Sequence, residues 1–380
     1  MKHLRGNVHL MKEINRSTIL GLLHREVTLS RAEIAKTTNL SPATISSLVE
    51  ELIAEGFIEE TGEKASTGAG RRAIALQINR NKGFVIAISL SNKQVSCMLC
   101  NFYREPIARL DLPAVKGNDQ VFDVIVHSLH QLIEKSGLTD FSRIKGIGIA
   151  LPGIVEESSG TIAYSLFLEL ENFHLKERLS ERFNVPIHVV NDVNAAAFAE
   201  YYLKTRFDVK NVLYISIRDG IGAGLILNGQ IYSGFRGMAG EVTTMRDPML
   251  STPGCLAKIR NRALRRGHMP LPETIADALE LYEQGVPWVV QALKRSLFLI
   301  GKGIADLINF ISPDQVVLDG WYLQSPKCMQ IIRAHIRTFT VPPAYEDELI
   351  INALIGEDNV VIGTATLMIH KLYQEKVSLL

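Results

Sequence analysis

Four cysteines in 380 residues are too few for a disulfide framework, and a chain this long can bury a core without one. Aromatic residues are scarce at 7%, and no long apolar run is free of charge. The nearest approach, residues 288–311, holds Lys294, Arg295, Lys302 and Asp306, so a core helix is expected there and not a bilayer span. A dominant charge is missing too. With 41 Lys+Arg against 40 Asp+Glu, the net charge of +1 excludes a polybasic coat; a nucleic-acid partner would have to be met by a local patch or a shaped element. The opening MKHLRGNVHLMKEINR scatters charge where a secretory signal would be apolar, which implies a cytoplasmic protein with no membrane partner.

What is present is a globular composition, 47% hydrophobic and 21% charged, over two or three domain lengths. Residues 1–80 read as a small module with a linker. Residues 8–25 place Leu10, Ile14, Ile19, Leu22 and Leu23 near one helix face; 31–37 form a second helix after Ser30, and 42–55 a third after Ser41. Ser30 and Ser41 suit N-caps, with Pro42 at the favoured first position. Gly56 ends the third helix, and residues 57–60 and 73–78 make a hairpin around a long loop, 62–72.

The turn Thr37-Thr38-Asn39-Leu40 gives the second and third helices the spacing of a helix-turn-helix. Ile45, Leu48, Val49 and Leu52 face inward, leaving Ser41, Thr44, Ser46 and Ser47 as candidate DNA contacts, because small hydroxyl side chains let a helix approach the major-groove floor. Arg71 and Arg72 in the hairpin tip add guanidinium groups suited to phosphates or a minor groove. A three-helix protein-interaction module is the other reading of these residues.

From Gly83 the pattern turns to strands at 84–90, 94–102 and 107–112, a helix at 119–136 and a strand at 144–151. A second strand-rich series covers 211–232, and the helix ending at Ile311 leads into a strand at 315–318. Two such series predict an α/β body of two lobes with a cleft between them, residues 81–380: lobe 1 at about 81–192 plus the C-terminal helix, lobe 2 at about 193–360. Cys97 and Cys100 are three apart in a strand and so point to opposite faces, unlike a metal or redox pair. His127 and His130 share a helix with no acid or cysteine cluster to complete a site.

Three segments carry more. They are Gly146-Ile-Gly-Ile-Ala-Leu-Pro-Gly-Ile-Val, then Val189-Val-Asn-Asp-Val-Asn-Ala-Ala-Ala-Phe-Ala-Glu, then Asp219-Gly-Ile-Gly-Ala-Gly-Leu-Ile-Leu-Asn-Gly-Gln-Ile-Tyr-Ser-Gly followed by Met238-Ala-Gly-Glu. With a winged helix ending in the Gly-Arg-rich loop 68–72, they resemble the ROK family of bacterial sugar kinases and sugar-responsive repressors, from about residue 8 to the C-terminus. The resemblance is strongest to the repressor branch of the xylose and N-acetylglucosamine repressors. It implies an N-terminal winged helix-turn-helix followed by an actin-like, ribonuclease H-like two-lobed body. It also implies a homodimer or higher oligomer on a palindromic DNA operator, and a small carbohydrate-like effector. Asn191 and Asp192 match the family's sugar-binding pair and Glu241 the acid of its Gly-Glu motif, with Pro152 and Gly153 completing the wall.

The same resemblance implies losses. The kinases' phosphate turn Asp-x-Gly-Gly-Thr is here Ile88-Ser89-Leu90-Ser91-Asn92-Lys93, and their Gly-Thr-Gly-Ile-Gly loop is Arg218-Asp219-Gly220-Ile221-Gly222. No phosphoryl transfer, catalytic residue or cofactor is therefore expected. Of the family's zinc element only Gly254-Cys255 remains, with Thr244 at the ligand histidine, and one thiolate cannot hold tetrahedral zinc. Ala257 stands where a sugar-bonding glutamate would be, which points to a ligand bulkier than glucose or phosphorylated, with Arg218 or Arg236 as anion partner. The reading is a repressor of carbohydrate-utilisation genes. Its alternatives are a sugar kinase with an appended DNA-binding domain and a regulator answering to a protein partner.

Overall fold

Capped helices build the N-terminal part. The computed structural model describes residues 2–64, 73–138, 141–205, 209–242, 247–342 and 344–375. In it α1 (Lys2–Arg25) leads into α2 (Arg31–Thr38) and α3 (Pro42–Ala54). Ser30 closes a capping box with Glu33, and the Ser41 hydroxyl accepts from the Thr44 N–H, so each helix begins with a free N–H satisfied. Asn39, in the left-handed region (φ 56°), ends α2 and makes the turn. β1 (Ile58–Lys64) pairs antiparallel with β2 (Ala73–Ile78), and Leu29 adds a bridge to Leu76, which completes a wing. Its tip, with Arg71 and Arg72, lies outside the described residues. Along α1, Ile19, Leu20, Leu22 and Leu23 are buried, whereas Ile14, expected inside, is 43% exposed.

The body follows with β3 (Phe84–Leu90), β4 (Gln94–Asn101), β5 (Pro106–Pro113), α4 (Asn118–Ser136) and β6 (Ile144–Leu151). β7 (Ile154–Glu156), β8 (Thr161–Ser165) and β9 (Leu170–Phe173) form a small antiparallel sheet, then come α5 (Leu175–Ser180), β10 (Ile187–Asn191) and α6 (Asp192–Lys204). The main sheet has the order β10-β6-β3-β4-β5: consecutive strands joined by short turns are antiparallel, and strands reached through crossovers join parallel. The second series repeats this plan. β11 (Val212–Ile217), β12 (Ile221–Leu227) and β13 (Gln230–Ile231) are followed by α7 (Thr252–Leu264), α8 (Ile275–Glu283), α9 (Pro287–Ile311), β14 (Gln315–Gly320), α10 (Pro326–Phe339) and β15 (Ile350–Asn352). Their sheet runs β13-β12-β11-β14-β15, the same connectivity pattern, and α11 (Asn359–Glu375) comes after it. Among the described residues no helix is long and apolar enough to cross a membrane; α9 buries Trp288, Leu293, Leu297 and Ile304 in a core.

The chain divides into two compact units, Met1–Leu203 with Asp358–Leu380, and Lys204–Glu357. In the first, one sheet face packs on α4. The other face closes a single core from Val85, Ala87, Met98 and Cys100, from Val361, Ala365 and Met368 of α11, and from Leu23, Leu52, Phe57 and Leu76 of the N-terminal module. The module expected to stand apart on a linker is therefore built onto the sheet, because detaching it would return apolar surface on both partners to water. Cys97 lies in the α4-side core and Cys100 in the α11-side core, as period-two alternation requires. α6, read from sequence as the head of the second lobe, lies in the first unit: a Cβ on Gly363 of α11 would stand 2.1 Å from the Ala195 carbonyl oxygen of α6, so the two helices meet backbone to backbone. Gly148 serves the same approach of α11 to β6, since a Cβ there would lie 2.9 Å from Thr364 Cγ2.

Candidate functional site

The exposed face of α3 is shaped by its buried one. Ile45, Leu48, Val49 and Leu52 enter the core, which turns Ala43, Ser47, Glu50 and Ala54 outward, with Ser46 and Thr44 half-buried beside them. Ser41 and Thr44 hydroxyls are 2.8 Å apart, and the Ser41 oxygen also takes the Thr44 N–H at 3.1 Å, so both define the helix start before they can touch a ligand. The accessible N-terminus of α3 offers its positive dipole end to an anion such as phosphate. α3 itself holds no cation. Its Glu51 and Glu55 turn toward α1, where Lys12 Nζ is 2.8 Å from Glu51 and Arg16 reaches both oxygens of Glu55 at 2.9 and 2.6 Å. Arg16 is 2% exposed, so this is a buried tie between α1 and α3.

A polar joint that no motif signalled links α1 to the rest of the first unit. Arg104, in left-handed backbone (φ 65°), donates to His24 Nδ1 at 2.8 Å; His24 therefore carries its proton on Nε2, which donates to the Tyr373 hydroxyl at 3.1 Å. Arg25 donates to the carbonyls of Tyr202 and Tyr201 at the end of α6, at 2.8 and 2.9 Å. His370 Nδ1 lies 3.2 Å from Ser17 Oγ of α1. Burial first, then Arg104 and His370, holds the His24 imidazolium well below its ordinary range, and burial with Lys371 brings His370 down to about 3.

At the carboxyl edge of the first sheet, parallel pairing sets Asn191 beside Leu151 and so brings 152–153 next to 191–192. Ligands favour such edges. Asn191 Nδ2 donates to the Gly153 carbonyl at 2.9 Å, while its Oδ1 accepts from Asn194 N–H at 3.1 Å. Asn191 thus caps α6 and clamps the 152–153 loop. Asp192 is half-buried at the first helical position, with Oδ1 2.9 Å from the Val193 N–H. Gly153 (φ 145°) has no room for a side chain, since a Cβ would meet the Tyr164 carbonyl oxygen at 2.5 Å. Four of the five expected effector residues are brought together here; Glu241 belongs to the second unit, where it is exposed. The Ala223 N–H bonds the Gly240 carbonyl at 2.9 Å and ties that Gly-Glu segment to β12.

The degraded phosphate loops have acquired internal bonds. Ser91 Oγ accepts from the Lys93 and Gln94 N–H groups at 3.2 and 3.1 Å and closes the β3–β4 turn. Arg218 donates to Asp319 at 2.7 Å, beside the Tyr214 hydroxyl at 2.6 Å, and its other arm reaches the Gly356 carbonyl. Arg218 is therefore engaged by a buried carboxylate and is withdrawn as an anion partner; Arg236 is exposed over the Phe235 ring. Cys255 is fully buried, its thiol pushed up to about 12 by burial, and Ala257 is exposed on α7, while Thr244 lies outside the described residues. No group of three or more His, Cys, Asp or Glu that could hold a metal ion occurs among the described residues.

Comparison with known proteins adds the lineage. Residues 13–59 match the winged helix-turn-helix DNA-binding family, and residues 85–371 match the ROK family. The xylose repressor of Caldicellulosiruptor bescii is 31% identical over 82% of this chain and 84% of its own length. The DNA-binding transcriptional dual regulator NagC of Escherichia coli is 29% identical over 85% and 84%. A crystal structure of a ROK family transcriptional regulator, homologous to the E. coli MLC protein, shares the fold with a TM-score of 0.78 at 23% identity, covering 97% of this chain and 98% of that one. A family match over most of the chain and a relative of this identity and coverage agree with the two repeated sheets and the capped helix-turn-helix: the chain belongs to the ROK family.

Proposed function

We propose that this chain is a DNA-binding repressor of carbohydrate-related genes, whose body binds a carbohydrate-like effector and transfers no phosphate. The observation that carries the reading is α3: a capped helix with Ser47 and other small residues outward, on a module that shares one core with the sheet that ends in Asn191. A relative named as a xylose repressor and one named as a DNA-binding transcriptional dual regulator support it. Ser41, Thr44, Ser46 and Ser47 approach the major groove, and Arg71 with Arg72 grip the flanking backbone. Two chains on a palindromic operator give the specificity one module lacks. The candidate effector contacts are Pro152, Gly153, Asn191, Asp192 and Glu241. In the β3–β4 turn Ser91 Oγ takes the Lys93 and Gln94 N–H groups, and the kinases' Asp-x-Gly-Gly-Thr is replaced by Ser89-Leu90-Ser91-Asn92-Lys93, which supports a regulator over a kinase. The protein works in the cytoplasm.

The core shared by module and sheet is the route by which a rearrangement of the sheet would reach α3. An effector shifts DNA binding only by as much as its affinity differs between the two arrangements. The test is operator binding by the full chain with and without sugars. Thr44→Ala with Ser47→Ala should weaken specific binding more than non-specific binding, and Asp192→Ala should cost about 1–3 kcal/mol in effector binding measured by calorimetry. Sugar-dependent consumption of ATP, lost in Asp192→Asn, would establish a kinase instead.

A further inference from the structure

The outward stripe of α3 runs Ala43, Ser47, Glu50 and Ala54, recurring with the helical turn. Glu50 is its one charge and its one long side chain. A carboxylate on a helix that approaches DNA is repelled by phosphates, and the neighbouring acids, Glu51 on the helix and Glu55 at its C-cap, are turned to α1 and paired there with Lys12 and Arg16. Glu50 has no ion-pair or hydrogen-bond partner among the described residues and is exposed, so folding gives it no task. α3 carries no cation to hold phosphates, so on a helix that enters the groove its exposed polar side chains are left for base edges.

In the major groove a carboxylate meets acceptors at guanine N7 and O6 and at thymine O4, all of which repel it. Only exocyclic amino groups donate. Adenine sets its amino group beside the acceptor N7, against which a second carboxylate oxygen is pressed; cytosine sets its N4 amino group beside a C–H and leaves both oxygens unopposed. We propose that Glu50 reads a cytosine amino group in the major groove and so fixes the base at one position of the site. This rests on the reading of α3 as the recognition helix.

In vitro selection from a random duplex pool, with the full chain as wild type, Glu50→Ala, Glu50→Gln and Ser47→Ala, tests it. Wild type should select a C·G pair at a position where Glu50→Ala loses about tenfold of preference. Glu50→Ala should also bind motif-free duplex more tightly, since a repelled charge is gone. Glu50→Gln should move that position toward adenine, whose N6 and N7 together match a carboxamide. If Ser47→Ala alters the motif while Glu50→Ala leaves every position as in wild type, α3 is the reading helix and Glu50 only a solvated charge, and the proposal is overturned. If neither variant alters the motif, the reading of α3 falls and the proposal falls with it.

Discussion

Lowering the pH from 7 to 5 should loosen the first unit. His24 and His370 are 6% and 8% exposed, and His188 on β10 is nearly as enclosed; burial first, then Arg104 at His24 and Lys371 at His188 and His370, lowers the pKa of all three, against the pull of Glu157 3.9 Å from His188 Nε2. His188 and His370 are both held down to about 3. An unfolded histidine titrates near 6.5, roughly the upper end of the window. Below it the unfolded chain binds protons that the native chain refuses, so stability is complete above about pH 6.5 and falls as pH drops. At pH 5 His188 and His370 each withdraw about 2 kcal/mol. Together they withdraw about 4 kcal/mol, a large part of the roughly 5–15 kcal/mol of an ordinary domain, and His24 acts in the same direction. Protonation of His24 would also set an N–H against the Arg104 guanidinium that now donates to it. Urea unfolding at pH 7, 6 and 5 reads the effect, the window stopping where carboxylates begin to titrate. His370→Gln should start less stable at pH 7 yet lose part of the pH slope. Equal stability at pH 7 and pH 5, or a slope untouched by His370→Gln, would refute the argument.

Two further outcomes follow from packing. Gly363→Ala drives a methyl into the Ala195 carbonyl, and pushing α6 from α11 should lower stability by about 1–3 kcal/mol, visible as a lower melting temperature. Arg16→Ala should cost about 2 kcal/mol in denaturant unfolding, less than a fully buried pair because Glu51 and Glu55 reach solvent; Arg16→Lys should restore only part, since an ammonium lacks the two-pronged grip on Glu55.

The candidate DNA face was legible because it is local. Ser30, Ser41, Pro42 and the inward series Ile45, Leu48, Val49 and Leu52 act within a turn or two, and their roles follow from helix geometry. The effector residues were named by motif, but Asn191's actual bonds, to Gly153 and Asn194, depend on β6 and β10 lying side by side. The small sheet β7–β9 escaped notice because its strands are three to five residues long and lack sustained alternation.

Sequence alone determined the first three helices with the caps Ser30 and Ser41, the helices at 119–136 and 288–311, and the opposite facing of Cys97 and Cys100, because each is decided by residue type and by a repeat of 2 or 3.6; the altered phosphate loops were legible only through the family resemblance. Only the tertiary structure decided that the N-terminal module is built onto the first sheet, that Gly148 and Gly363 are contact points for helices, and that Arg218 is engaged by Asp319. It also brought His24 to Arg104 and Tyr373 across 80 and 349 residues of chain. Those facts depend on which apolar faces meet, and partners so distant leave no mark in any window of sequence.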